Sequence, residues 1–133
     1  MSFVGFKCCS TTGVGSESMN VVFSRNHHSV SNDTFLYVGD GVSSNISSVI
    51  IPYNGKISYI SVSCGNNSNF PFDIELYDNG TPITGTNYTI TSTTFFTNLT
   101  ANVTAGCILQ VKLISTLPNK AAYPIVNVII NKN

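Results

Sequence analysis

The sequence predicts an all-β domain, two antiparallel sheets packed as a sandwich, and three observations predict it. Apolar residues make up 42% of the 133 residues while charged residues make up only 9%, against about 25% in an ordinary soluble domain. The polar surface must therefore come from Ser, Thr and Asn, which fill turns, while Val, Ile, Thr, Tyr and Phe fit a pleated sheet. Ala, Glu, Lys, Gln and Arg, which build surface helices, are scarce. Short β-type runs separated by Gly, Asn and Pro recur along the chain, giving about eight to ten strands by the spacing rule for sandwiches and barrels. The length suffices for one domain with a real core.

Residues 1–18 are rich in Gly, Ser and Thr without a sustained period, and read as a flexible N-terminal arm or attachment segment with one short strand at 3–7. The sandwich domain is expected over 19–133. Its first strands are expected at 19–24 and 34–38, followed by a Gly- and Ser-rich loop at 39–45. An apolar run at 48–51 is stopped by Pro52, and Asn54-Gly55 is the signature of a tight hairpin. In 57–64, Ile60, Val62 and Cys64 alternate with Tyr59, Ser61 and Ser63. A polar loop at 65–69 precedes the cleanest alternation, with Phe72, Ile74 and Leu76 inward and Asp73, Glu75 and Tyr77 outward, the pattern of a half-buried antiparallel strand. Asn79-Gly80 then supplies the two positive-φ residues of a type I′ turn. Strands follow at 86–91, 93–99 and 107–114. The nearly continuous apolar run 125–130 predicts a strand buried on both faces, central in a sheet or at a subunit contact.

Six basic and six acidic residues cancel, so no basic stripe exists to displace counterions from phosphates, and nucleic acid is not an expected partner. Low net charge also removes the repulsion that keeps copies apart, and a mean hydropathy of +0.19 points to a surface partly covered by a partner. The N-terminus has no signal-peptide pattern and no segment has the length of a membrane helix. Synthesis in a cytosol, without export or a membrane partner, is expected. Cys8, Cys9, Cys64 and Cys107 show no zinc spacing. Reduced, structural cysteines are favoured over a disulfide framework, given the missing export signal.

The order of features over 49–130 carries a resemblance. Ile-Pro-Tyr-Asn-Gly-Lys-Ile (51–57) leads into a Ser-rich strand, then Asp73-Ile74-Glu75-Leu76-Tyr77 with its Asn-Gly turn. A Thr-rich pair of strands follows, and Val103-Thr104-Ala105-Gly106-Cys107 opens an apolar strand. This resembles the globular heads of trimeric fibre, decoration and surface proteins. Among them are phage head-fibre and tip domains and the C-terminal domains of collagen-like spore-surface glycoproteins, which share the C1q/TNF-like jelly roll. The chain departs from the last group in having no Gly-X-Y stalk. The resemblance implies a jelly roll and a homotrimer that decorates a particle or recognises a surface, with no catalytic residues to carry over.

Candidate chemistry is sparse. His27-His28 would point to opposite faces of an extended segment, so one chain could not readily bring both to a metal; a trimer axis could. Asp73 and Glu75 share a strand face, with Asp78 beyond, and a glycosidase acid–base pair is one reading; solvated charge is the other, and is preferred. No nucleophile elbow or phosphate loop occurs. Seven sequons begin at Asn32, Asn45, Asn66, Asn79, Asn87, Asn98 and Asn102, read as chance in so Asn-rich a chain. Tyr37, Tyr53, Tyr59 and Tyr77 lie near turns or on outward positions, where aromatic rings with polar tips suit binding surfaces.

The expectation is therefore a non-enzymatic structural protein of a virus or phage particle: a capsid decoration, fibre head or spike, placed on the virion surface as a homotrimer. The arm would engage other capsid or fibre proteins, and no cofactor, catalytic residue or metal ligand is assigned. Ile125, Val126, Val128, Ile129 and Ile130 are candidates for the subunit interface. Tyr53, Tyr59, Tyr77, Asn66, Asn67 and Asn69 are candidates for a ligand or receptor surface, with loops 39–45 and 65–70 facing outward. The alternatives are a carbohydrate- or receptor-binding module, such as a lectin-like fibre tip recognising a glycan or host receptor, and a spore or cell-surface coat protein.

Overall fold

A computed structural model describes residues 17–38 and 48–133. The expected arm strand at 3–7, Cys8, Cys9, Asn45 and the loop 39–45 lie outside the described residues. Within them the protein is all-β, with strands β1 (Ser18–Ser24), β2 (Thr34–Phe35), β3 (Tyr37–Val38), β4 (Val49–Ile50), β5 (Gly55–Ser63), β6 (Phe72–Asp78), β7 (Thr81–Ile90), β8 (Thr94–Val103), β9 (Ile108–Ile114) and β10 (Ile125–Lys132). The first sheet runs β3-β1-β10-β5-β8 and the second β2-β9-β6-β7, with β4 also on β9. Every pairing is antiparallel. The chain runs out to the β6–β7 hairpin and back, so that outgoing strands pair with returning ones: β6 with β7, β5 with β8, β4 with β9 and β1 with β10.

The core lies between the sheets. Phe23, Ile57, Ile60, Val126, Val128 and Ile130 from the first sheet meet Ile74, Leu76, Ile90, Leu109, Val111 and Leu113 from the second, all fully buried. Phe72, Ile74 and Leu76 point inward as their alternation requires. Asn79 (φ 47°) and Gly80 (φ 85°) make the two-residue turn, with Asp78 opposite Thr81. The turn is pinned to β9: Gln110 Oε1 accepts from the Gly80 N–H at 2.7 Å, and Asp78 Oδ1 accepts from the Ile108 N–H at 3.0 Å.

Several elements depart from their sequence pattern. The run 34–38 is not one strand. Thr34 and Phe35 pair with β9 while Tyr37 and Val38 pair with β1, and Leu36 between them is fully buried where the chain crosses from sheet to sheet. Asn54-Gly55 makes no hairpin, because β4 and β5 belong to different sheets. Gly55 instead meets a close backbone approach: a Cβ there would collide with the Asn131 carbonyl oxygen. A bulge at Ser58 shifts the register of β5, so Ile57 and Ile60 both face inward although they are an odd number of residues apart. A second irregularity faces Leu76, where Thr86 accepts from the Leu76 N–H at 3.3 Å and donates to the Ile83 carbonyl at 2.6 Å.

β10 is central in its sheet but is not buried on both faces. Val126, Val128 and Ile130 are in the core, whereas Ile125 is exposed and Asn127 and Ile129 are half-buried. Among the described residues no second layer covers the other face of the strand. An apolar run reads the same whether its outer side meets a second layer or solvent, so periodicity alone could not decide between them.

Candidate functional site

The uncovered side of β10 is the middle of a broad outer face. Register across β1, β10, β5 and β8 aligns four cross-strand rows: Ser24-Ile125-Ser63-Thr94, Val22-Asn127-Ser61-Phe96, Asn20-Ile129-Tyr59-Asn98 and Ser18-Asn131-Lys56-Asn102. Lys56, in the marginal row, is the one charged residue of the set. The apolar members concentrate in the two middle rows and at Ile125. Phe96 is 73% exposed, and its ring stacks on Tyr59 with centroids 6.4 Å apart. Val22 and Ile125 are also exposed large hydrophobics. Directly opposed and diagonal side chains on a sheet reach one another, so these residues form a continuous apolar ridge framed by Ser, Thr and Asn.

Of the five residues expected at a subunit contact, Val126, Val128 and Ile130 are spent on the intramolecular core; only Ile125 and Ile129 face outward. Period-two alternation sets this division once one face of the strand is buried.

The expected ligand residues do not converge. Tyr59 is on the face just described. Tyr53 lies at the far end, where its hydroxyl donates to the Ile130 carbonyl at 3.3 Å and burial raises its pKa. Tyr77, expected outward and exposed, is only 7% exposed on the outer side of the second sheet. The ring of Phe35 lies edge-on at 5.5 Å, Lys112 Nζ sits 5.0 Å from both ring centroids, and the Tyr77 hydroxyl donates to Glu75 at 3.1 Å. These neighbours arrive from β2 and β9, which the local pattern around Tyr77 could not reveal. Asn66 and Asn67 are exposed in the 65–70 loop. Asn69 is tied down by backbone bonds to Lys120 and by its side-chain amide to the Pro118 carbonyl at 3.0 Å. Ser68 in the same loop is buried, accepting from the Ala122 N–H at 2.8 Å.

The carboxylates weighed for acid–base chemistry are each held by a neighbouring hydroxyl: Asp73 by Thr89 at 2.9 Å and Glu75 by Tyr77. His27 and His28 do not point apart. Their rings stack at 4.6 Å because the segment is bent, with the His27 N–H donating to Arg25 O at 2.9 Å. No group of three metal-ligating side chains occurs among the described residues. Cys64 and Cys107 are free thiols, and burial, with Asp78 nearby, pushes Cys107 up to about 11. All six sequon asparagines that are described (Asn32, Asn66, Asn79, Asn87, Asn98 and Asn102) are exposed.

Residues missed at the sequence level cluster around Ile125. A pocket of about 160 Å³ is lined by Ser24, Arg25, Asn26, Tyr123, Pro124 and Ile125. Tyr123 is half exposed and sits at φ 50°, a left-handed conformation that is unusual for a bulky side chain. Its only sequence signal is a lone tyrosine before Pro124. Phe96 was ambiguous beside Phe95, since only the register Val62–Phe95 and Ser61–Phe96 decides which ring points in. Compared with protein-family models and with curated protein sequences, the chain matches none significantly.

Proposed function

We propose that this domain is a non-enzymatic structural protein of a virus or phage particle. It is read as a jelly roll that assembles as a homotrimer on the virion surface, decorating a capsid or ending a fibre. The nested pairing of outgoing and returning strands supports the jelly-roll reading, because two interleaved Greek keys place strands in this order across two sheets. The observation that carries the assembly reading is the nearly uncharged outer face of the first sheet, with its Tyr59–Phe96 stack. A face without charge offers an oppositely charged partner nothing to pair with, while it meets another copy of itself without repulsion. Aromatic and aliphatic residues at its centre with polar ones around them match the anatomy of an interface. In this reading the N-terminal arm, 1–18, engages neighbouring capsid or fibre proteins.

Light scattering at micromolar concentration tests the assembly. A trimer mass is expected for the natural chain. The double variant Phe96→Lys and Ile129→Lys is expected to give a monomer mass with an unchanged far-UV spectrum. A natural chain that runs as a clean monomer removes the proposal's main support.

A carbohydrate-binding role is the second reading, and the pocket beside Ile125 favours it. The two roles are compatible, since the pocket opens at the end of the face and not at its centre.

A further inference from the structure

We infer that this pocket is a site for one acidic sugar residue, a pyranose carrying a carboxylate; the inference rests on the carbohydrate-binding reading and names its ligand class. Size comes first. About 160 Å³ is below the several hundred Å³ of sites for drug-sized ligands, and fits a single ring, not an extended chain. The walls are preformed: the Arg25 N–H donates to the Pro124 carbonyl at 3.1 Å and the Tyr123 N–H to the His27 carbonyl at 2.8 Å, joining the segment after β1 to the segment before β10.

The chemistry of the lining is selective. Arg25 lies with its guanidinium carbon 5.0 Å from the centre of the Tyr37 ring. Stacking of this kind holds the guanidinium plane and leaves its edge donors for a planar anion. Among the described residues no carboxylate forms an ion pair with Arg25; the ion pair they do contain is Lys132–Glu17 at the opposite end. Half-exposed Tyr123 lines the same pocket and supplies an aromatic ring of the kind on which the C–H face of a pyranose packs. The Asn26 amide can both donate to and accept from ring hydroxyls. The left-handed backbone of Tyr123 is a second, independent pointer, because such conformations in bulky residues gather at ligand sites.

The test is an amide-resolved NMR titration of the full chain with methyl glucuronide and, separately, methyl glucoside. The glucuronide is expected to shift Asn26, Tyr123 and Ile125 and to bind about tenfold or more tighter than the glucoside, as a charge-assisted bidentate contact requires. Arg25→Gln should abolish that preference. Tyr123→Asn, which tolerates the left-handed backbone but lacks the ring, should weaken both sugars. Equal binding of the two sugars at the pocket overturns the acidic specificity and leaves the carbohydrate reading standing. Shifts confined to other residues overturn the pocket, again leaving that reading. No shift with either sugar overturns the inference, and a glycan array then decides the broader reading separately.

Discussion

The outer faces of the two sheets solve the same problem in opposite ways. On the second sheet, Lys112 lies over Phe35 and Tyr77, Tyr77 donates to Glu75, and Thr89 donates to Asp73. Its polar and aromatic groups satisfy one another within the chain. On the first sheet, Phe96 and Ile125 are exposed among uncharged Ser, Thr and Asn, and Tyr59 stacks on the Phe96 ring. One face is finished and the other is left open. A sandwich needs only its inner faces to fold, so the chemistry of each outer face is free to serve something else. The contrast is the ground on which the association proposed above is placed on the first sheet and not on the second.

The strongest way to break this comparison is on β10, where neighbouring isoleucines belong to different sides. Ile130→Ala is expected to cost about 2–5 kcal/mol in urea unfolding, as for other buried aliphatic truncations. Ile129→Ala, measured on the dissociated chain, should cost under about 1 kcal/mol. Equal losses would mean that the outer side of β10 is already part of the core.

A smaller contrast separates two outer-side aromatics, Tyr77 on the second sheet and Phe96 on the first. Tyr77→Ala removes a ring packed by Phe35 and Lys112, and about 2 kcal/mol of stability should go with it. Phe96→Ala should change the dissociated chain by no more than about 0.5 kcal/mol, yet lower the mass seen by light scattering. If Phe96→Ala destabilises the monomer as much as Tyr77→Ala does, the first sheet is not the open face.

A pH-dependent effect bears on the buried thiol beside Asp78. Cys107 is raised from 9.0 to about 11 by burial first, then by the charge of Asp78 and its hydrogen bond to Asp78. The folded state therefore favours the neutral thiol. This contribution is fully present below pH 9 and is lost as pH rises from 9 towards 11. Chemical unfolding of the natural chain and of Cys107→Ala across that window should show the natural chain falling more steeply. Parallel curves would mean that the thiol is not buried as described.

Much of the fold was legible locally. The 72–77 alternation and Asn79-Gly80 define a hairpin because side-chain period and positive φ are properties of adjacent residues. The same grammar misread Asn54-Gly55, where glycine answers a tertiary approach by Asn131 and not a turn. Of the candidate site, Ile125, Ile129 and Tyr59 were named from the sequence, while Phe96, Val22, Arg25 and Tyr123 were not. Their roles depend on which strand lies alongside, and no window of one strand contains that.

By itself, the sequence determined an all-β sandwich, most strand positions and the spare use of charge, since these follow from composition, alternation and turn chemistry. Only the tertiary structure decided that Leu36 carries the chain between sheets, that a bulge at Ser58 turns Ile57 inward, and that Tyr77 is covered. It also decided which side of β10 stays open. Each of these is fixed by residues distant in sequence that strand pairing brings alongside, and pairing partners are chosen by burying one continuous core.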